Sequence, residues 1–390
     1  MMRTFLKEQA REVLPLPDLN EIQKDSYAWF LTEGLKEVFE DVSPMKDFSG
    51  HELELSFVNH SVEAPKFSEE EARSKNISYE APLKINCRLV NKKENKISEQ
   101  EVYLGDLPVM TRRATFIING IERVVVSQLI RSSGVLFTVE QDKEKKLYGA
   151  KVIPNRGAWL EFECDASGVI WTRIDRKRKV AATALLKAFG FTTAKIRETF
   201  SDLTLPGLAM LEATLKKDAS PTPEDGLIEV YRKIRPGELA TSDNAKSLIE
   251  SMFFRYDRYD LSGVGRYKMN RYFKENLPIN RETRVLRRED IINTLRKIIT
   301  MTVTEEEPED VDHLGNRRVR AVGELLQNRF RVGMARAERI IKDRMSTMEP
   351  LTMTRGKVIN ARPIIAVIQE FFSTSQLSQF IVQTNPLSEL

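Results

Sequence analysis

TFIINGIERVVV, Thr115 to Val126, sets β-branched runs on either side of Asn119-Gly120, and this pattern decides how the first part of the chain folds. Both central positions of a type I′ turn need φ > 0, which Asn and Gly accept, so the stretch predicts a β-hairpin. Upstream, Leu53, Leu55 and Phe57 alternate with Glu52, Glu54 and Ser56. Leu83, Ile85, Cys87 and Leu89 alternate with Lys84, Asn86 and Arg88. That is the period of a half-buried sheet. Downstream the alternation continues from about Val152 to Trp171.

Helical spacing takes over beyond that strand-rich region. Ala181 to Phe189, Leu208 to Leu215, Ala245 to Phe254 and Asp290 to Met301 space apolar residues at three and four. Pro221, Pro223 and Gly226, and separately the acidic run from Glu305, read as exposed connections. Val322, Leu325, Leu326, Phe330, Met334, Ile340, Ile341 and Met345 mark one face of a long helical segment with an irregularity at Gly333. A further helix starts near Pro363 and carries Ile364, Ile368 and Phe371, an apolar face that needs cover. An entry helix through Ile22, Tyr27, Trp29, Phe30 and Leu31 is expected to end near Gly34. The sum is an α+β fold of two domains, as 390 residues suggest.

Charge is balanced in total and segregated in place. Lys+Arg 61 against Asp+Glu 57 gives a net +4, too little for composition alone to indicate a nucleic-acid binder. RIDRKRK, Arg173 to Lys179, gathers cations, and Glu305 to Asp312 gathers acids. Two cysteines, Cys87 and Cys164, fit a reducing cytoplasm. His51, His60 and His313 have no close Cys/His spacing, which argues against structural zinc. No run approaches the roughly 18 apolar residues needed to cross a bilayer.

The sequence offers recognition chemistry rather than catalysis. GVGR at Gly263 lacks P-loop spacing, no serine sits in a nucleophile elbow, and no aspartate cluster could clamp two metal ions. Asp257 and Asp260 read as surface charges paired with arginines. Arg131, Arg173, Arg176, Lys177, Arg178, Arg317, Arg318 and Arg320 are candidates for phosphate or base contacts, although a solvated face is the plainer reading of each alone. Trp159, beside Arg156 and Gly157, reads either as a core aromatic or as a platform for an unpaired base.

Several blocks, in order, carry a family resemblance: EQEVYLGDLPVMTRRATFIINGIERVVVSQLIRSSGV (Glu99 to Val135), RGAWLEFE (Arg156 to Glu163), RIDRKRK, YRKIRPGE (Tyr231 to Glu238), RYDLSGVGRYKMNR (Arg258 to Arg271), DHLGNRRVR (Asp312 to Arg320) and SQLSQFIVQTNPLSEL (Ser375 to Leu390). Together they resemble the N-terminal part of the bacterial RNA polymerase β subunit. The resemblance implies a strand-rich, discontinuous protrusion domain at residues 1–131 and 325–374, its second part a long helical segment. A mixed α/β lobe at 132–324 is inserted into it, and 375–390 begin the fork region. The family continues well past Leu390, so the resemblance implies a piece that cannot polymerise alone, with the catalytic magnesium on the β′ subunit and no cofactor or catalytic residue here.

By the same resemblance the chain forms one wall of the DNA cleft and contacts the non-template strand through Arg131, Trp159, Arg176, Arg235, Arg258, Val311, Asp312 and Arg317. Asp312 would accept from a guanine's N1 and N2 donors, which are free only in a melted strand. Arg336 and Arg339 match positions facing upstream DNA. Arg123, Val126, Ser127, Gln128, Gln376, Leu377, Gln379, Phe380, Val382 and Ser388 resemble a rifamycin pocket, with Val382 where the family has aspartate. Arg112-Arg113-Ala114 and Ser133 also depart from the family pattern. The implied partners are the β′, α and sigma subunits, DNA and nascent RNA near the fork region. The implied location is the cytoplasm, associated with the nucleoid, with no membrane contact. The competing readings are a split or truncated β segment acting as a non-catalytic interaction module, and a general single-strand DNA binder, which leaves the hairpin and fork-like motifs unexplained.

Overall fold

The computed structural model describes residues 18–47, 50, 52–92, 95–142, 145–347 and 359–381. The chain divides into two compact units: one joins the residues up to Gln128 to those from Val319 onward, and the other runs from Leu129 to Arg318. Helices mix with antiparallel strands in both, an α+β architecture.

The first unit opens with α1 (Glu21–Trp29), a π-helical turn (Phe30–Gly34) and α2 (Leu35–Val42) in one continuous run. The expected stop at Gly34 does not occur. Gly34 keeps helical φ of −63° and allows close packing, since a Cβ there would lie 3.3 Å from the Trp29 ring. Next come β1 (Met45–Lys46), β2 (Leu53–Val62), α3 (Glu69–Ser74), β3 (Glu80–Asn91) and β4 (Lys96–Pro108), the four strands pairing in sequence order. As the alternation requires, Leu53, Leu55, Leu83, Ile85 and Cys87 are buried while Asn86 and Arg88 face solvent. Strands β5 (Phe116–Ile118) and β6 (Ile121–Val125) form the hairpin, with Ile118 opposite Ile121 and φ of 52° at Asn119 and 80° at Gly120.

In the second unit, after β7 (Gln128–Arg131), strands β8 (Gly134–Asp142), β9 (Lys145–Ile153), β10 (Leu160–Cys164), β11 (Ile170–Ile174) and β12 (Val180–Ala181) make a five-stranded antiparallel sheet in the order β12-β11-β10-β9-β8. Its helices are α4 (Ala182–Ala188), α5 (Thr193–Thr199), α6 (Leu205–Lys217), α7 (Pro223–Ile234), α8 (Ser242–Phe253), α9 (Ser262–Phe273) and α10 (Arg288–Thr304). The reading of Pro223 and Gly226 as loop is corrected. Pro223 opens α7 behind a Thr222 capping box, where its missing N–H has no cost. Gly226 is buried in that helix, where a Cβ would lie 2.8 Å from the Lys187 Cβ. The core gathers Phe137, Leu160, Phe162, Leu185, Phe189 and Ile298, each burial contributing about 1.5–3 kcal/mol.

Strand β13 (Arg317–Arg320) pairs with β7, and α11 (Val322–Thr347), α12 (Arg362–Thr374) and β14 (Ser378–Phe380) follow. Helix α11 passes Gly333 without a break, contrary to expectation. That glycine lets α12 approach, because a Cβ would lie 2.9 Å from the Ile364 Cα. Nor does α12 lack cover: Ile364, Ile368 and Phe371 are buried with Phe330 and Met334 in the core of this unit. Phe330 meets Phe39 edge-on at 5.5 Å. Cys87 and Cys164 are both buried and not joined in a disulfide. Among the described residues no helix is long and apolar enough to cross a membrane.

Candidate nucleic-acid interface

In the second unit the basic run is shaped by two left-handed residues, Asp175 (φ 50°) and Arg176 (φ 59°), that bend the chain after β11. The Asp175 N–H donates to the Trp159 carbonyl at 2.8 Å, and the Arg176 guanidinium carbon lies 5.3 Å from the Trp159 ring centroid. Trp159 is half-buried and Arg176 exposed, so the indole is neither core nor fully free. Arg173 pairs with Glu163 at 3.2 Å, and Lys179 covers Trp171 at 4.8 Å.

Two contacts tie this pair to other candidate residues. Backbone bonds join Asn155 and Arg156 to Asp260, and Gly157, at φ +123°, admits Tyr259 and the Arg258 carbonyl so closely that a Cβ would meet them at 2.7 and 3.0 Å. Arg258 therefore sits beside the segment that carries Trp159. On the other side Arg318 donates to the Asn155 side chain at 2.8 Å, which brings in β13 and with it Arg317. Asn316, buried, accepts the Ser132 N–H through its carbonyl at 2.9 Å and donates from its side chain to the Asp310 carbonyl at 2.8 Å. That closes the turn holding half-buried Val311 and exposed Asp312 and sets Arg131 and Arg317 on paired strands. Among the described residues no ion pair occupies Arg131, Arg258 or Arg317. Arg235 stands apart, held by Glu238 at 3.2 Å, which also accepts from the Tyr231 hydroxyl at 2.7 Å.

A groove of about 770 Å³ that sequence reasoning missed adjoins the Asp310–Asn316 turn; Tyr267, Lys268, Arg271, Tyr272 and His313 line it. Burial pushes the Tyr272 hydroxyl up to about 12 and the Lys268 amine down. Lys268 donates to the Gly315 carbonyl at 2.8 Å. The signal was present in RYKMNR, where cations interleave with tyrosine. Of the two aspartates read as surface charges, Asp257 is exposed and pairs with Arg255 at 2.9 Å. Asp260 is a correction: it is buried, and Arg284 reaches it at 2.6 Å from a distant loop. Among the described residues no group of three His, Cys, Asp or Glu could hold a metal ion.

In the first unit, Arg336 and Arg339 are exposed on α11. Strand β14 pairs with β6, so Phe380 lies opposite Arg123, Gln379 opposite Val124 and Ser378 opposite Val125. The Arg123 guanidinium covers the Phe380 ring at 4.2 Å, and Phe380 is 58% exposed. Val126 donates its N–H to the Leu377 carbonyl at 2.8 Å, Ser127 accepts from Gln23 at 3.0 Å, and Gln379 donates to the Gln376 carbonyl at 3.2 Å. Gln128 is half-buried beside them in sequence. Val382 and Ser388 lie outside the described residues.

Comparison with known proteins gives one family model and close relatives. The model described as RNA polymerase Rpb2, domain 2, matches residues 131–320. The DNA-directed RNA polymerase subunit beta of Syntrophomonas wolfei is 48% identical over 381 residues, 97% of this chain and 34% of that protein. The same subunit of Trichodesmium erythraeum is 47% identical over 382 residues, again 97% and 34%. That of Gloeobacter violaceus is 46% identical over 377 residues, 96% and 33%. The chain thus spans about a third of the length of the curated relatives it matches.

Proposed function

This chain belongs to the β-subunit family of DNA-directed RNA polymerases, and on that premise we propose that it forms part of the wall of a DNA cleft and guides the non-template strand through its second unit. The observation that carries this reading is the Trp159–Arg176 pair. A half-exposed indole capped by a cation offers an unpaired base a stacking surface and its phosphate a positive charge. Arg258, Arg131 and Arg317, free of ion pairs among the described residues, continue the cationic path. Asp312 at the exposed turn supplies an acceptor for guanine donors that only a melted strand presents. Arg235 serves further along the strand, and Arg336 and Arg339 face upstream duplex from the first unit. The paired strands that carry Arg123 and Phe380 would offer a rifamycin-like ligand a cation and an aromatic edge.

In this reading the chain binds and positions, and magnesium and bond formation belong to the β′ subunit. The α and sigma subunits are further partners, and nascent RNA passes near the fork-like segment. The test is photo-crosslinking of a non-template oligonucleotide in the polymerase assembled with β′ and α. Trp159→Ala should lose the crosslink at one register while duplex binding persists. An unchanged crosslink pattern would overturn the proposal.

A further inference from the structure

A second cavity in the same unit has chemistry that strand guidance does not use. It holds about 500 Å³ between Arg178 of the basic run after β11, the segment before α7 and one side of α7 from Asp225 to Lys233 in its last turn, a size typical of small-molecule sites. Arg178, Arg232 and Lys233 line it, and none of them has an ion pair among the described residues. Cations that converge on a cavity without a carboxylate partner repel one another until an anion joins them.

The two carboxyls on the lining do not fill that role. Asp225 is committed to the capping box of α7, accepting from the Thr222 N–H at 3.3 Å and its hydroxyl at 2.6 Å. Glu229 has one oxygen, Oε2, buried with no hydrogen-bond partner. Burial, and after it the nearby Asp218, push the Glu229 carboxyl above its ordinary value, against the opposing pull of Lys233 and Lys187. Asp218 itself lies behind the cavity, paired with Lys187 at 2.9 Å, with both side chains buried. That buried pair is internally matched, so Arg178 and Arg232 have no ion-pair partner among the described residues and Lys233 is offset only by the field of Glu229. Ala219, Pro221 and Ile228 give the remaining wall an apolar character.

We propose that this cavity binds a small phosphorylated molecule with a flat apolar portion, a nucleoside phosphate by class, its phosphate held by Arg178, Arg232 and Lys233 and its ring against Ala219, Pro221 and Ile228. Guanidinium groups grip phosphate oxygens in pairs, and the lysine adds a point charge. The inference does not depend on the polymerase reading, since no residue of the strand path lines the cavity.

The test is calorimetric titration of the 390-residue chain with adenosine monophosphate, adenosine, inorganic phosphate and a short DNA duplex. Saturable binding of the nucleotide, competition by inorganic phosphate and failure of the bare nucleoside are expected. Arg178→Ala and Arg232→Ala, both at exposed positions and checked for intact folding by circular dichroism, should each weaken nucleotide binding about tenfold, the equivalent of one charge-assisted hydrogen bond. Absence of saturable nucleotide binding, or affinity in both variants equal to that of the unaltered chain, overturns the assignment. So does binding of the duplex alone, which would make these cations a nucleic-acid backbone contact.

Discussion

Arg266 and Asp290 meet as a bidentate pair, two N···O contacts of 2.8 Å with neither side chain exposed. The same guanidinium donates to the carbonyls of Val285, at 2.8 Å, and Thr283. Asp290 also accepts the Arg287 N–H at 2.9 Å, at the start of α10. One arginine thus holds α9, the loop after it and the α10 cap together.

Removing one member of this pair strands a charge in the core. Asp290→Ala should cost about 3–5 kcal/mol, while replacing both residues with apolar side chains of similar volume should cost far less. Urea unfolding of the two variants checks this. Equal losses in both would mean the pair contributes as packing rather than as matched charge.

The local periods in the sequence were legible and the long-range approaches were not. Alternation at Leu83, Ile85 and Cys87 placed β3, and Asn119-Gly120 placed the hairpin, because those signals lie within a few residues. Gly34 and Gly333 misled because a glycine inside a helix reads as a break, whereas here each makes room for a neighbour. Asp260 read as a surface charge because its partner Arg284 is a distant residue. The apolar face of α12 read as bare because α11, which covers it, gives no local sign of doing so. For the candidate interface, the basic run and Trp159 were readable one by one. Their juxtaposition needed the left-handed turn at Asp175 and Arg176.

Gly323 meets α1 at the start of α11. Its N–H donates to the Ser26 hydroxyl at 2.9 Å, and an added Cβ would lie 1.9 Å from the Ser26 carbonyl oxygen. Alanine in a helix normally gains about 1 kcal/mol over glycine. Here the clash is with rigid backbone, and overpacking of about 1–3 kcal/mol or more should win. Gly323→Ala should therefore lower the thermal midpoint, and a raised midpoint would show that α1 yields easily.

Asp218 gives the second unit an acid-sensitive hold. Burial works to raise its carboxyl, but hydrogen bonds from Lys187, Ser220 and Thr183 outweigh that and keep it below its ordinary value. A depressed carboxylate stabilises above the unfolded pKa of roughly 3.9, and that contribution is lost as pH falls through the folded value. Unfolding of the second unit should accordingly become easier below about pH 4. Asp218→Asn should be less stable at pH 7 and show a shallower decline on acidification. An identical acid profile in the variant would place the sensitivity elsewhere.

Stacking and charge can be separated at the candidate interface by salt. Arg131, Arg258 and Arg317 have no ion pair to break among the described residues, so each phosphate they meet releases counterions in full. Alanine at any one of them should reduce the slope of log affinity against log salt for a single-stranded oligonucleotide by roughly 0.7. Arg235→Ala should reduce it less, because Glu238 already neutralises that side chain. Trp159→Ala should leave the slope unchanged and weaken binding about tenfold at every salt concentration, since a stacked base contributes about 1–3 kcal/mol without counterion release. Fluorescence anisotropy across a salt series reads both quantities at once. If Trp159→Ala flattened the slope as the arginine variants do, the indole would be acting only by holding Arg176 in place and not as a stacking surface.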